Sequence, residues 1–95
     1  MASPTKRDFV RIRNKLRLTQ ERMAQLLGVS FVSVNRWEMG HSAPLRAVVD
    51  LYAALDAALK AGYEPDEIVD GASSDRRLFL RNLFRMAYGS LEAST

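Results

Sequence analysis

Cysteine is absent from the 95 residues of this chain, and histidine occurs once, as His41. Without cysteine the fold has no disulfide bond and no thiolate to hold a metal ion. One histidine offers neither metal-ligand spacing nor a catalytic acid-base pair, and no glycine-rich phosphate loop is present. We therefore expect no enzyme activity, no metal, no cofactor and no small-molecule site.

Long apolar runs are also missing. No segment approaches the roughly 20 apolar residues that a membrane-spanning helix needs. Residues 1–8 are not followed by the apolar run of a signal peptide. We expect a protein without membrane contact that works in the cytoplasm.

Apolar residues recur at helical spacing, and the strict alternation that is typical of strands is missing. We expect an all-α fold, a compact five-helix domain over residues 1–70 followed by an additional C-terminal helix and tail over residues 71–95. The helices are predicted at about residues 5–16, 20–27, 31–39, 44–62 and 75–88, with a short acidic helical turn at 65–69 and a loose tail at 89–95.

Charge is segregated along the chain. Residues 1–46 contain nine basic and three acidic residues, a net charge of +6. Residues 47–75 carry a net charge of −6, and residues 76–95 carry +3. A basic N-terminal half indicates a surface for a polyanion, although clustered solvated charge would give the same pattern.

Residues 20–39 have the pattern of two short helices that cross at a steep angle. Ala24 is the small residue that such a crossing needs, and Gly28 stands where the chain must turn sharply with a positive φ. Val34 and Trp37 turn inward from the second of these helices. The pattern predicts a helix-turn-helix, with Thr19 and Ser30 as N-caps.

This stretch resembles the lambda-repressor-like family of Cro and XRE-type regulators. The resemblance rests on residues 18–30 (LTQERMAQLLGVS), residues 34–40 (VNRWEMG) and Pro44, and it extends over about residues 5–70. It implies a five-helix domain that usually binds DNA operators as a dimer.

The resemblance also implies roles for particular residues. Gln20 matches the position that holds a phosphate at the start of the second helix, and we predict a phosphate contact for Thr19, directly before it, as well. The third helix matches the recognition helix. Arg13 and Glu38 match a pair that forms a buried salt bridge between the first and third helices.

The outer face of the third helix is left for base edges once its apolar residues turn inward. We predict base contacts from Phe31, Val32, Ser33, Asn35 and Arg36. Arg36 is the best candidate for guanine, because its fork matches O6 and N7. Asn35 could pair with adenine or hold a phosphate.

Phe31 and Val32 depart from the family pattern, in which these two positions are usually polar. Apolar side chains there can contact thymine methyl groups. Alternatively, Phe31 packs back against the second helix or Ser42 and reads nothing.

Further basic residues could extend the contact with the DNA backbone. Arg17 stands where the family often has glycine or a small residue, and it contacts a phosphate or is simply solvated. His41 and Arg46 are candidates for phosphate contacts or bystanders. Lys6 and Arg7 extend the footprint or form a frayed basic terminus.

The predicted last helix has an apolar face that must be buried against something. We predict a dimer or partner interface formed by Leu80, Leu83, Phe84, Ala87 and Tyr88, with packing on the chain's own helices as the alternative. Arginines occupy most of the rest of the helix, and an acidic segment such as residues 64–70 of a partner is a plausible target for them.

The sequence thus predicts a sequence-specific regulator of double-stranded DNA, a repressor that acts as a homodimer on a palindromic operator. Two half-sites spaced by about 34 Å would sum their contacts. The alternative is an antitoxin or adaptor that binds a protein partner through its last helix, with or without DNA binding.

Overall fold

The computed structural model describes residues 3–70 and 75–89, and within them the chain is helical without strands. The helices are α1 (Lys6–Lys15), α2 (Gln20–Leu27), α3 (Phe31–Met39), α4 (Arg46–Lys60), α5 (Pro65–Val69) and α6 (Arg76–Tyr88). The all-α fold class is confirmed. The predicted connection at residues 71–74 and, beyond Gly89, the predicted tail lie outside the described residues.

Local hydrogen bonds explain where several helices begin. The Thr5 N–H donates to Asp8 Oδ2 at 2.8 Å and starts α1. The Thr19 hydroxyl accepts from the Arg22 N–H at 3.1 Å and starts α2. The Asp75 carboxylate accepts from the N–H groups of Arg77 and Leu78 and starts α6. Each such cap stabilises its helix by about 1 kcal/mol.

The core lies where α4 meets the other helices, and Tyr52 of α4 is at its centre. Tyr52 is fully buried, and its ring centroid lies 4.7 Å from that of Phe9 and 6.4 Å from that of Trp37, with the Trp37 ring edge-on. Its hydroxyl has no hydrogen-bond partner among the described residues. Burial, and then the nearby charge of Glu38, raise the pKa of Tyr52, so the hydroxyl stays neutral.

Helix α6 packs on α4 of its own chain and contributes Phe79 and Leu83 to the core. The prediction that Leu83 faces a dimer or partner is therefore wrong, because this side chain is fully buried within the chain. Leu80, Phe84 and Ala87 are partly buried against the same core, and Tyr88 is exposed. The apolar side of α4 must be shielded from water. Helix α6 of the same chain shields it, without association with a second chain.

The exposed side of α6 is basic. Arg77, Arg81 and Arg85 follow one another at intervals of four residues, on the side away from the core, and all three are exposed. We call these three residues the arginine face. Leu78 and Tyr88 lie at its two ends and are 50% and 61% exposed.

Asp56 joins α1 to α4 by charge. Its carboxylate is almost fully buried and accepts from Arg11 Nη1 at 2.9 Å, while Lys60 Nζ lies 3.1 Å away. Burial would raise the pKa of the Asp56 carboxyl, but hydrogen bonds from Arg11 and Lys60 outweigh burial and lower it. The ionised form of Asp56 therefore stabilises the folded chain.

We predict that Asp56→Asn lowers the free energy of unfolding at pH 7 by about 1–2 kcal/mol, a modest value because Arg11 and Lys60 remain partly exposed. Because the Asp56 pKa is lower in the folded chain, its contribution is present above about pH 4 and disappears as the pH falls through the folded-state pKa.

Urea unfolding of the native protein and of Asp56→Asn between pH 2 and pH 7 tests this pH dependence. Asp50→Asn is the control, since Asp50 is exposed and its ion-pair partner Arg46 is exposed too. A difference between Asp56→Asn and the native protein that stayed constant across this range would contradict the prediction.

Candidate nucleic-acid interface

Helices α2 and α3 form a tight helix-turn-helix. Ala24 and Val34 are buried between the helices and the core. Gly28 ends α2 with φ +75°, in the left-handed region that glycine adopts without steric cost. The Val29 N–H then donates to the Ala24 carbonyl at 3.0 Å and closes the turn. The predicted residues of the motif core are thus brought together, and Trp37 is buried beside them.

Each of the two helices presents a capped N-terminus. Thr19 accepts the N–H of Arg22, and Ser30 accepts the N–H of Ser33 at 3.1 Å. The first backbone N–H groups, at the start of α2 and of α3, have no partner within their helix and point outward from its end. These groups and the positive end of the helix dipole attract phosphate oxygens.

A buried ion pair ties α3 to α1. Arg13 Nε lies 2.7 Å from Glu38 Oε2, and Arg13 Nη2 lies 2.9 Å from Glu38 Oε1. Arg13 Nη1 also donates to the carbonyl of Leu18 at 2.9 Å, directly before α2. The hydrogen bonds to Glu38 raise the pKa of Arg13. One guanidinium therefore holds the end of α3 and the entrance to α2 together.

Gln20 and Asn35 extend this ion pair towards the surface. Gln20 Nε2 donates to Glu38 Oε1 at 3.0 Å, and Asn35 Nδ2 donates to Gln20 Oε1 at 3.1 Å. A carboxylate only accepts, so it orients the Gln20 amide, and the Gln20 oxygen then orients the Asn35 amide. Asn35 keeps its Oδ1 and its second N–H for another partner.

The outer face of α3 is open. Phe31 is 47% exposed and Val32 is 61% exposed, so neither side chain is packed away. Arg36 is exposed as well. Ser33 is half-buried, and its hydroxyl lies 2.9 Å from the hydroxyl of Ser30. Three of the five predicted base-reading residues are thus exposed, whereas Ser33 and Asn35 are half-buried and contact Ser30 and Gln20.

Residues 10–55 match a family model described as helix-turn-helix. The matched model is that of the Cro/C1-type helix-turn-helix family, which includes the XRE regulators. No curated protein and no solved structure matches the chain. The match confirms the resemblance drawn from the motif, and it supports a DNA-binding helix-turn-helix regulator.

The basic residues of this helix-turn-helix protein differ in how available they are for a phosphate contact. Arg17 has φ +60°, a left-handed conformation that costs a residue with a side chain about 1–2 kcal/mol. His41 is exposed. Arg46 pairs with Asp50 at 3.0 Å, so a phosphate would compete with that carboxylate.

Lys6 lies closer to the recognition helix than its place in the sequence suggested. A Cβ added to Gly40, which ends α3, would stand 3.2 Å from Lys6 Cδ. A lysine beside the C-terminal end of α3 also complements the negative end of that helix. Lys6 is thus placed at one end of the candidate DNA surface.

The sequence did not predict two contacts that hold this surface. One is the bond between Gln20 and Asn35, for which the only signal is that both residues are polar and lie near the predicted crossing of the helices. The other is Arg76 of α6, whose Nη1 donates to the Leu26 carbonyl in the last turn of α2. No local pattern signals that second contact.

Residues 3–70 and 75–89 contain neither a membrane-spanning helix nor a cluster of metal-ligating side chains. No helix there has the length and apolar content to cross a membrane. Nor do three or more histidine, aspartate or glutamate side chains come together as possible metal ligands.

We predict that Glu38→Gln lowers the free energy of unfolding by about 3 kcal/mol, because it leaves the Arg13 guanidinium largely buried without a counter-charge. Chemical denaturation at pH 7 measures the loss, with Glu21→Gln as the control because Glu21 is an exposed glutamate of α2. Equal stability of the two variants would show that the ion pair has no structural role.

Proposed function

We propose that this protein is a sequence-specific transcriptional repressor of the cytoplasm that binds a palindromic operator as a dimer, with α3 in the major groove. The observation that carries the proposal is the open outer face of α3 beside two capped helix N-termini. Such a surface offers phosphate contacts for affinity and base contacts for specificity.

The phosphate contacts are assigned to the start of α2 and the loops around it. Thr19 and Gln20 present the N-terminus of α2 to one phosphate. Arg17 is assigned a second phosphate, and the unfavourable backbone conformation of this residue supports the assignment, since glycine would be easier to accommodate. His41 and Arg46 are assigned to the flanking backbone.

The base contacts are assigned to α3. Arg36 fits guanine through its two parallel donors, and Asn35 fits adenine through the Oδ1 and the N–H that Gln20 leaves free. Phe31 and Val32 are exposed at the start of the helix and fit thymine methyl groups. Ser33 tolerates any base. Repression requires only that the bound dimer blocks the operator, so it is the simplest form of regulation.

In vitro selection on random duplexes of about 30 base pairs tests the proposal. We expect enrichment of a two-fold palindrome whose half-sites are about one helical turn apart. A single enriched half-site would remove the symmetric dimer. Binding without enrichment that weakens steeply with salt would remove sequence-specific recognition.

Arg36 offers a sharper test of base reading on the selected site. We predict that Arg36→Ala weakens binding by about 1–3 kcal/mol and relaxes the preference at one base pair. Arg36→Lys is the matched variant, because it keeps the charge and loses the two-donor fork. An equal loss of affinity on all DNA sequences in Arg36→Ala, recovered by lysine, would assign Arg36 to a phosphate instead.

For the dimer, we propose that the arginine face of one copy pairs with the acidic segment 64–70 of the other. Helix α5 packs against α6, so the two charged patches are neighbours, and the acids of the segment are exposed. A two-fold interface brings the same patches together twice, basic on acidic and acidic on basic. Leu78 and Tyr88 supply exposed apolar area at the ends of the arginine face.

Reciprocal charge reversal tests this interface by sedimentation. We predict that Arg81→Glu/Arg85→Glu and Asp66→Arg/Asp70→Arg each yield monomers, because like charges then face each other. Mixing the two variants restores a dimer, since every pair is again of opposite sign. A dimer in either variant alone, or a monomeric native protein, would overturn the proposed interface.

The adaptor or antitoxin alternative depended on an apolar face of α6 that needs a partner. Phe79 and Leu83, the centre of that face, pack on the chain's own core. No remaining observation favours that function over the repressor.

A further inference from the structure

We infer that Arg76 is a positioning residue for the recognition helix, and that α6 sets the geometry of DNA reading through it. Arg76 stands at the start of α6, 50 residues along the chain from its partner Leu26. The inference rests on the proposed role of α3 in reading bases, and it assigns a DNA-related task to a helix outside the matched residues 10–55.

The first observation is a bond at the end of α2. Arg76 Nη1 donates to the carbonyl of Leu26. Carbonyls in the last turn of a helix have no intrahelical partner, and a cationic donor there is stabilised by the helix dipole. The Arg76 guanidinium carbon also lies 5.9 Å from the centre of the Phe79 ring, which is buried. The guanidinium is therefore held between α6 and the end of α2.

The Arg76 guanidinium also lies close to Gly28, in the turn between α2 and α3. A Cβ added to Gly28 would stand 3.3 Å from Arg76 Nη2 and 3.5 Å from Arg76 Cζ. Glycine at this position therefore serves the positive φ of the turn and also leaves room for the guanidinium. The turn is covered by a side chain from another helix and is not simply solvated.

The position of Gly28 explains how Arg76 influences the direction of α3. Ser30, which caps α3, comes two residues later, so the turn sets the direction in which α3 leaves α2. Phosphate contacts at α2 and base contacts at α3 must fit the same DNA duplex, and a small misorientation separates them. Arg13 and Glu38 hold the pair of helices at the start of α2, and Arg76 holds it at the other end of α2.

The test compares Arg76→Ala with Lys60→Ala, which removes the same charge from the exposed last residue of α4, a lysine that pairs with Asp56 and is not assigned to DNA. Binding to the selected operator and to unrelated DNA is measured over a range of salt, at a temperature where both variants are fully folded. We expect Arg76→Ala to weaken operator binding roughly tenfold, as the loss of one charge-assisted hydrogen bond allows, with unrelated DNA unaffected.

The salt dependence separates positioning from direct contact. A positioning residue leaves the slope of log K against log salt unchanged, whereas loss of a phosphate contact reduces that slope by about 1 and weakens all DNA equally. A reduced slope, or an operator affinity equal to that of Lys60→Ala, would overturn the assignment.

Amide hydrogen exchange tests the same contact without DNA. This test therefore remains valid even if the proposed operator binding fails. We expect faster exchange in Arg76→Ala at Gly28 and Val29, whose N–H groups donate to carbonyls of α2, with core amides of α4 unchanged and partial recovery in Arg76→Lys. Unchanged exchange at the turn would show that Arg76 does not hold it. If Arg76→Ala fails to fold, Arg76→Lys carries the comparison.

Discussion

The buried carboxylate of Glu38 is the group on which the DNA-binding surface depends. A buried charge is tolerated only when donors surround it, and here Arg13 supplies two and Gln20 supplies one. Since the carboxylate only accepts, it dictates which end of the Gln20 amide faces inward. Gln20 in turn orients Asn35 on the recognition helix. A charge in the interior thereby sets the hydrogen-bonding pattern at the surface.

The rest of the architecture keeps the two DNA-binding helices at a constant angle. The ion pair acts at the entrance to α2, and Arg76 of α6 acts at its exit. Because α6 is packed on α4, that second contact joins the turn to the main core. This arrangement includes two locally unfavourable features: Arg17 has a left-handed backbone, and the Tyr52 hydroxyl lacks a hydrogen-bond partner among residues 3–70 and 75–89.

Helix bounds and the motif core could be predicted from the sequence because both depend on near neighbours. Thr19 and Ser30 cap the helices that follow them, and Gly28 and Gly40 end them with positive φ. Small and apolar residues at helical spacing indicate the crossing of α2 and α3. The pair of Arg13 and Glu38 came only from resemblance to a family, since no local rule joins residues 25 positions apart.

The sequence by itself determined the helices, the helix-turn-helix and the basic character of its surroundings, since caps, periodicity and charge are read within a few residues. Only the tertiary structure decided what covers the apolar stripe of α6, and it placed Leu83 in the chain's own core. The tertiary structure alone also brought Arg76 to Leu26 and Gly28. Periodicity shows that a helix has an apolar face, but which surface lies against that face depends on how distant segments pack together.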